Sequence, residues 1–274
     1  MEVKQQEKVV SEAFSRQSDH FDMVYDSNMI TVWAREQVRE EVLQYLPANA
    51  HMLELNCGTG TDSVFFAKKG YKVFATDNAE GMLQMLNKKL ATQNLTDKIE
   101  TQRCSFNNLE ELGNRQFDYA FSNFGGLNCT DNLAKVLDDV EKLLKPGGSF
   151  SFVIMPVVCP WDLLMVFKGY FKTAFRRFNK KGTMAHLEGV YFKCYYYNPS
   201  YIIKHLEGRF KLQSLKSVSL MVPPPYIEQF VEKHPKLFRW LEKVEKRIRK
   251  KSPFNSWGDY YIITMQKNAH ANNS

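Results

Sequence analysis

The sequence contains no C-x-x-C pair, and no histidine stands at zinc-ligand spacing from its five cysteines, Cys57, Cys104, Cys129, Cys159 and Cys194. An odd and scattered set argues against a disulfide framework and points to a reduced, cytoplasmic setting. No apolar stretch reaches the ~18 uninterrupted residues that a membrane span needs. The first residues, MEVKQQEKVVSEAF, are charged and lack the apolar core of a signal peptide, so the chain reads as soluble and unprocessed. Internal repeats and low-complexity tracts are missing, and no acidic cluster suggests a catalytic magnesium or other metal site.

What is present is a chain of 274 residues, 44% hydrophobic and 14% aromatic, enough for one generous core carrying an insertion. The formal charge of +7 permits a phosphorylated substrate, nucleic acid or an anionic membrane surface as partner, but plain solubility is the favoured account of it.

Helical spacing of Val10, Phe14 and Phe21, and of Ile30, Trp33, Val38, Val42 and Leu46, predicts two helices with a break near residues 26–28. Apolar runs at 51–55, 71–75, 117–122 and 149–155 then alternate with helical patterns at 61–69, 79–93 and 130–145, the last stopped by Pro146-Gly147-Gly148. Strands alternating with helices imply right-handed crossovers and a mostly parallel, doubly wound α/β sheet. The methionine and leucine stripe Met82, Met85, Leu86 and Leu90 reads as core. Residues 156–197 lose this regularity. Short amphipathic pieces, a basic run (Lys168, Lys172, Arg176, Arg177, Lys180, Lys181) and an aromatic β-like run at 190–197 read as an inserted cover. A helix from Pro199, a strand at 209–222, a helical stretch at 226–250 with a kink before Pro235, and a last strand at 259–265 complete the pattern. The predicted units are a helical lid at 1–46, a core at 47–155, the cover at 156–197, the rest of the sheet at 198–267 and a disordered tail at 268–274.

The stretch MLELNCGTGTDS (52–63) joins the first strand to the next helix. Gly58 and Gly60 let backbone N–H groups approach a ligand. A dinucleotide fingerprint would need a third glycine where Ser63 stands, and its pyrophosphate would meet Glu54 and Asp62. A ligand without phosphate and with a positive end suits the loop better.

Here the sequence resembles the class I S-adenosylmethionine-dependent methyltransferases. Glu54-Leu55-Asn56-Cys57-Gly58-Thr59-Gly60 is similar to their first motif, E/D-x-G-x-G-x-G, with Asn56 in place of the first glycine. Asp77 matches the acidic residue on the ribose hydroxyls, Cys104-Ser105-Phe106 the segment flanking the adenine, and Asn123-Phe124 the end of the fourth-strand motif. Leu144-Lys145-Pro146-Gly147-Gly148 resembles the turn before the fifth strand, and FDMVYD (21–26) the helical lid whose tyrosine reaches the cofactor. The resemblance implies a Rossmann-like, seven-stranded sheet with an antiparallel last strand. It also implies S-adenosylmethionine as cofactor, with Tyr25, Glu54, Asn56, Cys57, Gly58, Gly60, Asp77, Asn78, Ser105, Phe106, Asn123 and Phe124 as its binding residues. Ser105 departs from the aspartate common in the family, and a hydroxyl accepts the adenine hydrogen bond less strongly.

The implied reaction is methyl transfer by in-line displacement, which needs alignment more than acid–base chemistry. No catalytic residue stands out; His186, His205 and Asp259 are candidate bases for which a structural role is the favoured reading. Amine-directed base methylation is disfavoured, because Asn123-Phe124-Gly125-Gly126 stands where such enzymes carry Asn/Asp-Pro-Pro-aromatic. VPPPY (222–226) reads as a stiff connection. The aromatic and basic cover suits a small-molecule or lipid-like acceptor with an anionic group, or else is a packed flap with Arg176 and Arg177 in water. The basic helix at 237–251 is expected to pack on the sheet through Leu237, Leu241, Val244 and Ile248. Two rivals remain: a non-catalytic scaffold binding a partner through the basic flap, and an RNA-directed methyltransferase, which rests on charge alone.

Overall fold

The computed structural model describes residues 3–227 and 229–269. Helices α1 (Val3–Ser27) and α2 (Met29–Tyr45) part at Asn28, whose side chain accepts the Ile30 and Thr31 N–H groups and so caps α2. The alternating part follows as β1 (His51–Leu55), α3 (Thr61–Lys68), β2 (Lys72–Asp77), α4 (Glu80–Gln93), β3 (Ile99–Arg103), β4 (Phe117–Ser122), α5 (Leu133–Leu143) and β5 (Leu144–Ile154). Next come α6 (Pro160–Leu163), α7 (Phe171–Phe175) and a hairpin of β6 (Thr183–Leu187) with β7 (Val190–Cys194). The chain closes with α8 (Pro199–His205), β8 (Phe210–Val218), α9 (Phe230–Lys233), α10 (Pro235–Ile248) and β9 (Tyr260–Lys267).

Seven strands form one sheet in the order β3-β2-β1-β4-β5-β9-β8. Only β9 runs antiparallel to its neighbours, so the sheet is mostly parallel with its last strand reversed, as predicted. Period-two alternation sends successive residues into opposite layers. Met52, Tyr119, Phe121 and Ile262 pack under α2, α3, α4 and α10, whereas Leu53, Leu55, Ala120 and Ile263 pack under α5 and α8. Helix stripes supply both layers: Ile30, Trp33, Val38, Val42 and Leu46, the stripe read from the sequence, on one side, and Leu133, Val136, Leu137, Val140 and Leu143 of the helical pattern at 130–145 on the other. Strand order reverses between β1 and β4, which opens a crevice at their carboxyl ends.

Several boundaries differ from expectation. Strand β3 was not predicted, because its sequence IETQR lies at the sheet edge and buries only Ile99. Helix α5 ends at Leu143, and β5 already starts at Leu144 and runs through Pro146. Pairing shifts register between Phe117 and Tyr119, and that irregularity accommodates a proline in a strand. Strand β6, also unforeseen, pairs with β7 across the two-residue Glu188–Gly189 turn. Helix α10 packs inward as expected but one position over. Phe238, Leu241 and Glu245 are buried, Leu237 is exposed, and Glu245 accepts the Met221 and Val222 N–H groups. Of the tail predicted to be disordered, Asn268 is tied by its N–H to the Arg209 carbonyl, and residues 270–274 lie outside the described residues.

Candidate functional site

The first strand tip is built from strain held by hydrogen bonds. Asn56 adopts φ +47°, the left-handed conformation that asparagine tolerates best after glycine. Its amide is locked by the Ser122 hydroxyl at 2.6 Å and the Asn123 carbonyl at 3.2 Å, which ties β1 to β4. Gly126 packs against that amide so closely that a Cβ there would meet Asn56 Cγ at 2.4 Å. Gly126→Ala is therefore expected to cost about 2 kcal/mol. Because Asn56→Gly vacates the space, the double variant should recover much of the loss, giving a coupling energy of about 1 kcal/mol or more in urea unfolding. At Gly60 (φ +76°) a Cβ would strike Leu86 Cδ1 at 2.2 Å, so this glycine serves packing of α3 on α4.

Acidic groups surround the loop. Asp77, at the end of β2, accepts the Gly58 and Ala79 N–H groups, each at 2.8 Å, and burial raises its carboxyl above the ordinary range against the pull of those bonds. Glu54 is 3% exposed and accepts the Ser63 hydroxyl; Ser63 thus has a task where a dinucleotide fingerprint would carry glycine. Burial, and then the negative Asp62, push the Glu54 carboxyl up to about 8. Asp62 is itself held by Arg39 Nε at 2.7 Å and the Asn123 amide at 2.8 Å.

The raised Glu54 carboxyl sets a pH dependence. Unfolded, the group ionises near 4.5; folded, it keeps its proton to about 8, so the native state binds more protons in between. Buried Glu245, raised to about 7, acts in the same direction. Stability of the free protein should fall as pH rises from about 4.5 to 8, by on the order of a few kcal/mol, then level off. Denaturant midpoints measured across that window check it.

Helix α1 closes over this loop like a strap. Asp22 accepts the Thr59 hydroxyl at 2.6 Å and pairs with Lys89 at 2.6 Å; Ser11 donates to the Asn78 carbonyl at 2.9 Å. Further along, Glu7 accepts the Ser105 hydroxyl and the Asn107 amide, both at 2.7 Å. The apolar stripe of α1, Val10, Phe14 and Phe21, faces a cavity rather than the sheet.

That cavity, about 460 Å³, lies at the β1–β4 crevice and is of the size small ligands occupy. Of the predicted cofactor residues, Tyr25, Glu54, Asn56, Cys57, Gly58, Asp77, Asn78, Phe106, Asn123 and Phe124 border it, whereas Gly60 and Ser105 do not. Among the candidate bases, only Asp259 borders it. His205 pairs with Asp138 at 2.8 Å, and His186 packs its ring at a tilt against Tyr191 in the hairpin. Phe124, itself at φ +47°, stands as a wall against Tyr260 and does not fill the space.

The far end carries a feature the sequence did not reveal. Arg177 is buried and joins Asp162 at 2.8 Å to Asp259 at 2.6 Å, with the Tyr196 ring 5.3 Å from its guanidinium. Arg176, half-buried, adds a second bond to Asp162 at 2.9 Å, and Tyr226 donates to the same carboxylate. The picture of both arginines standing in water is thereby corrected. Residues Pro225 and Tyr226 of VPPPY also border the cavity, and Asn28 donates to the Pro225 carbonyl at 2.9 Å.

With loop, carboxylates and crevice arranged in this way, the fold is that of the class I methyltransferases, and a profile described as methyltransferase domain matches residues 52–148. A demethylmenaquinone methyltransferase of Leptospira interrogans is 30% identical over 158 residues, 56% of this chain and 63% of the relative. The chain thus spans less than two thirds of that relative's length. Among solved structures, the Burkholderia thailandensis 1,6-didemethyltoxoflavin N1-methyltransferase, with 1,6-didemethyltoxoflavin and S-adenosylhomocysteine bound, aligns at TM-score 0.59 and 16% identity, covering 98% of this chain and 91% of that one. An S-adenosylmethionine-dependent methyltransferase of Mesorhizobium loti aligns at TM-score 0.54 and 16% identity, covering 83% and 96%. At such identities these structures bear on the fold alone.

Proposed function

We propose that this protein is a cytoplasmic S-adenosylmethionine-dependent methyltransferase acting on a small-molecule or lipid-like acceptor. The observation that carries the reading is one cavity bordered both by the bare Asn56–Gly58 backbone and the Asp77 carboxylate and by Tyr25, Tyr226 and Arg176. The match to methyltransferase domains and the small-molecule acceptors named for the relatives support it.

The residues present fit the cofactor. Each Asp77 oxygen already takes one N–H and keeps a lone pair for a ribose hydroxyl. Phe106, Val10 and Phe14 offer apolar walls for a flat base, and Glu54 offers a buried carboxylate to a cationic amino acid end. Ser105 takes no part in this account, since its hydroxyl is engaged by Glu7. When bound, S-adenosylmethionine supplies an activated methyl on a sulfonium. The chain's own contribution is alignment and exclusion of water: α1 seals the cofactor end, while Phe124 and Tyr260 confine the acceptor. Asp259 Oδ1 accepts an Arg177 guanidinium N–H, so the carboxylate serves as an anchor of the arginine.

Calorimetric titration with S-adenosylmethionine and, as control, a nicotinamide dinucleotide tests the reading. Binding of the first alone is expected, with proton release near pH 7 because a cation beside Glu54 favours its ionised form. Absence of S-adenosylmethionine binding would favour the scaffold reading.

A further inference from the structure

We propose that the outer face of residues 164–181 docks on an anionic lipid bilayer. This inference stands apart from the methyl-transfer reading and can fail without it.

Helix α6, the 3-10 turn Leu164–Lys168, α7 and the 3-10 turn Arg176–Phe178 pack on one another. Their inner side is settled by Ala174 and by Arg177 bound to Asp162. Their outer side presents Phe167 at 87% exposure, Tyr170 at 61%, Phe171 at 58%, Phe175 at 53% and Phe178 at 48%. Five large aromatics exposed within so short a segment far exceed the scattered apolar residues normal on a surface, and such patches mark interaction sites.

The charge pattern selects the partner. Lys168, Lys172, Lys180 and Lys181 are interleaved with these rings, all are exposed, and none is ion-paired among the described residues. No aspartate or glutamate occurs from Leu163 to Leu187. Aromatic rings settle at the headgroup level and lysines pair with anionic headgroups, so both halves of the face match a lipid surface of negative charge. Helix α10, though basic, shows a weaker form of the pattern: Glu242 interrupts its charge, Phe238 and Leu241 are buried, and two large apolar side chains, Leu237 and Trp240, are exposed against five here. Arg176 lies between Phe175 and Phe178 and borders the cavity, so a docked chain holds the acceptor end of the cavity next to the bilayer.

The experiment is co-sedimentation of the full chain with phosphatidylcholine vesicles, with and without phosphatidylglycerol. Binding is expected only when phosphatidylglycerol is present, and it should weaken in high salt. Two variants, Phe167→Ser with Phe171→Ser and Lys168→Gln with Lys172→Gln, should each reduce partitioning about tenfold or more. Both should keep the wild-type unfolding midpoint, because these side chains are exposed. Equal binding to both vesicle types, no binding to either, or undiminished binding by the variants overturns the proposal. So does a dimer in sedimentation velocity that the phenylalanine pair dissolves, since the face would then belong to a second copy.

Discussion

Asp77→Ala is expected to weaken S-adenosylmethionine binding on the order of 100-fold while the chain stays folded. Hydrogen bonds to a charged group are worth about 1.5–3 kcal/mol each, and two ribose hydroxyls would lose theirs together. The fold tolerates the change because burial already works against this carboxylate: its carboxyl is raised although Gly58 and Ala79 both donate to it. Removing it orphans two N–H groups but also removes a desolvated charge. Asp77→Asn keeps one acceptor and should fall between. Calorimetry gives the affinities, and denaturant unfolding of the same samples separates lost binding from lost structure.

Arg177→Met should destabilise the protein by about 3–5 kcal/mol, the range for breaking a buried ion pair from one side. For a chain of this size that corresponds to a drop of roughly 10 °C in the unfolding midpoint. The cause is specific. Asp162 keeps Arg176, whereas Asp259 loses its one ion-pair partner among the described residues while remaining buried. Its carboxyl, raised by burial even beside Arg177, would rise further, so the native variant holds a proton that the unfolded chain releases. The loss should accordingly be small in acid and grow as pH rises above the ordinary aspartate range. Asp259→Asn added to Arg177→Met should restore part of the stability and flatten that dependence. Thermal unfolding of the single and double variants across pH checks both statements.

What the sequence showed and what it hid follow from the range of the interactions. Elements whose pattern is local were legible: the stripes of α2 and α5, the β1–α3 glycine loop, and Asp77 at a strand tip. Edge strand β3 was not, since a strand buried on little more than Ile99 carries no alternation to read. The acceptor end was hidden more deeply. Nothing in the sequence links Asp162, Arg177 and Asp259, and the last two stand 82 residues apart; only the fold makes them one cluster. Ser63 illustrates the reverse. Its presence was read as a missing glycine, yet its hydroxyl holds Glu54. Ser105 was assigned to the cofactor by its place in a motif, and the strap helix claims it through Glu7, a residue with no signal of its own.

Soaking crystals of the protein with S-adenosylhomocysteine tests the central claim most directly. The account predicts the ribose hydroxyls on Asp77, the base between Phe106 and the Val10–Phe14 side of α1, and the amino acid end toward Glu54. Density for the nucleoside elsewhere, or a crevice that stays empty at saturating ligand, would contradict it.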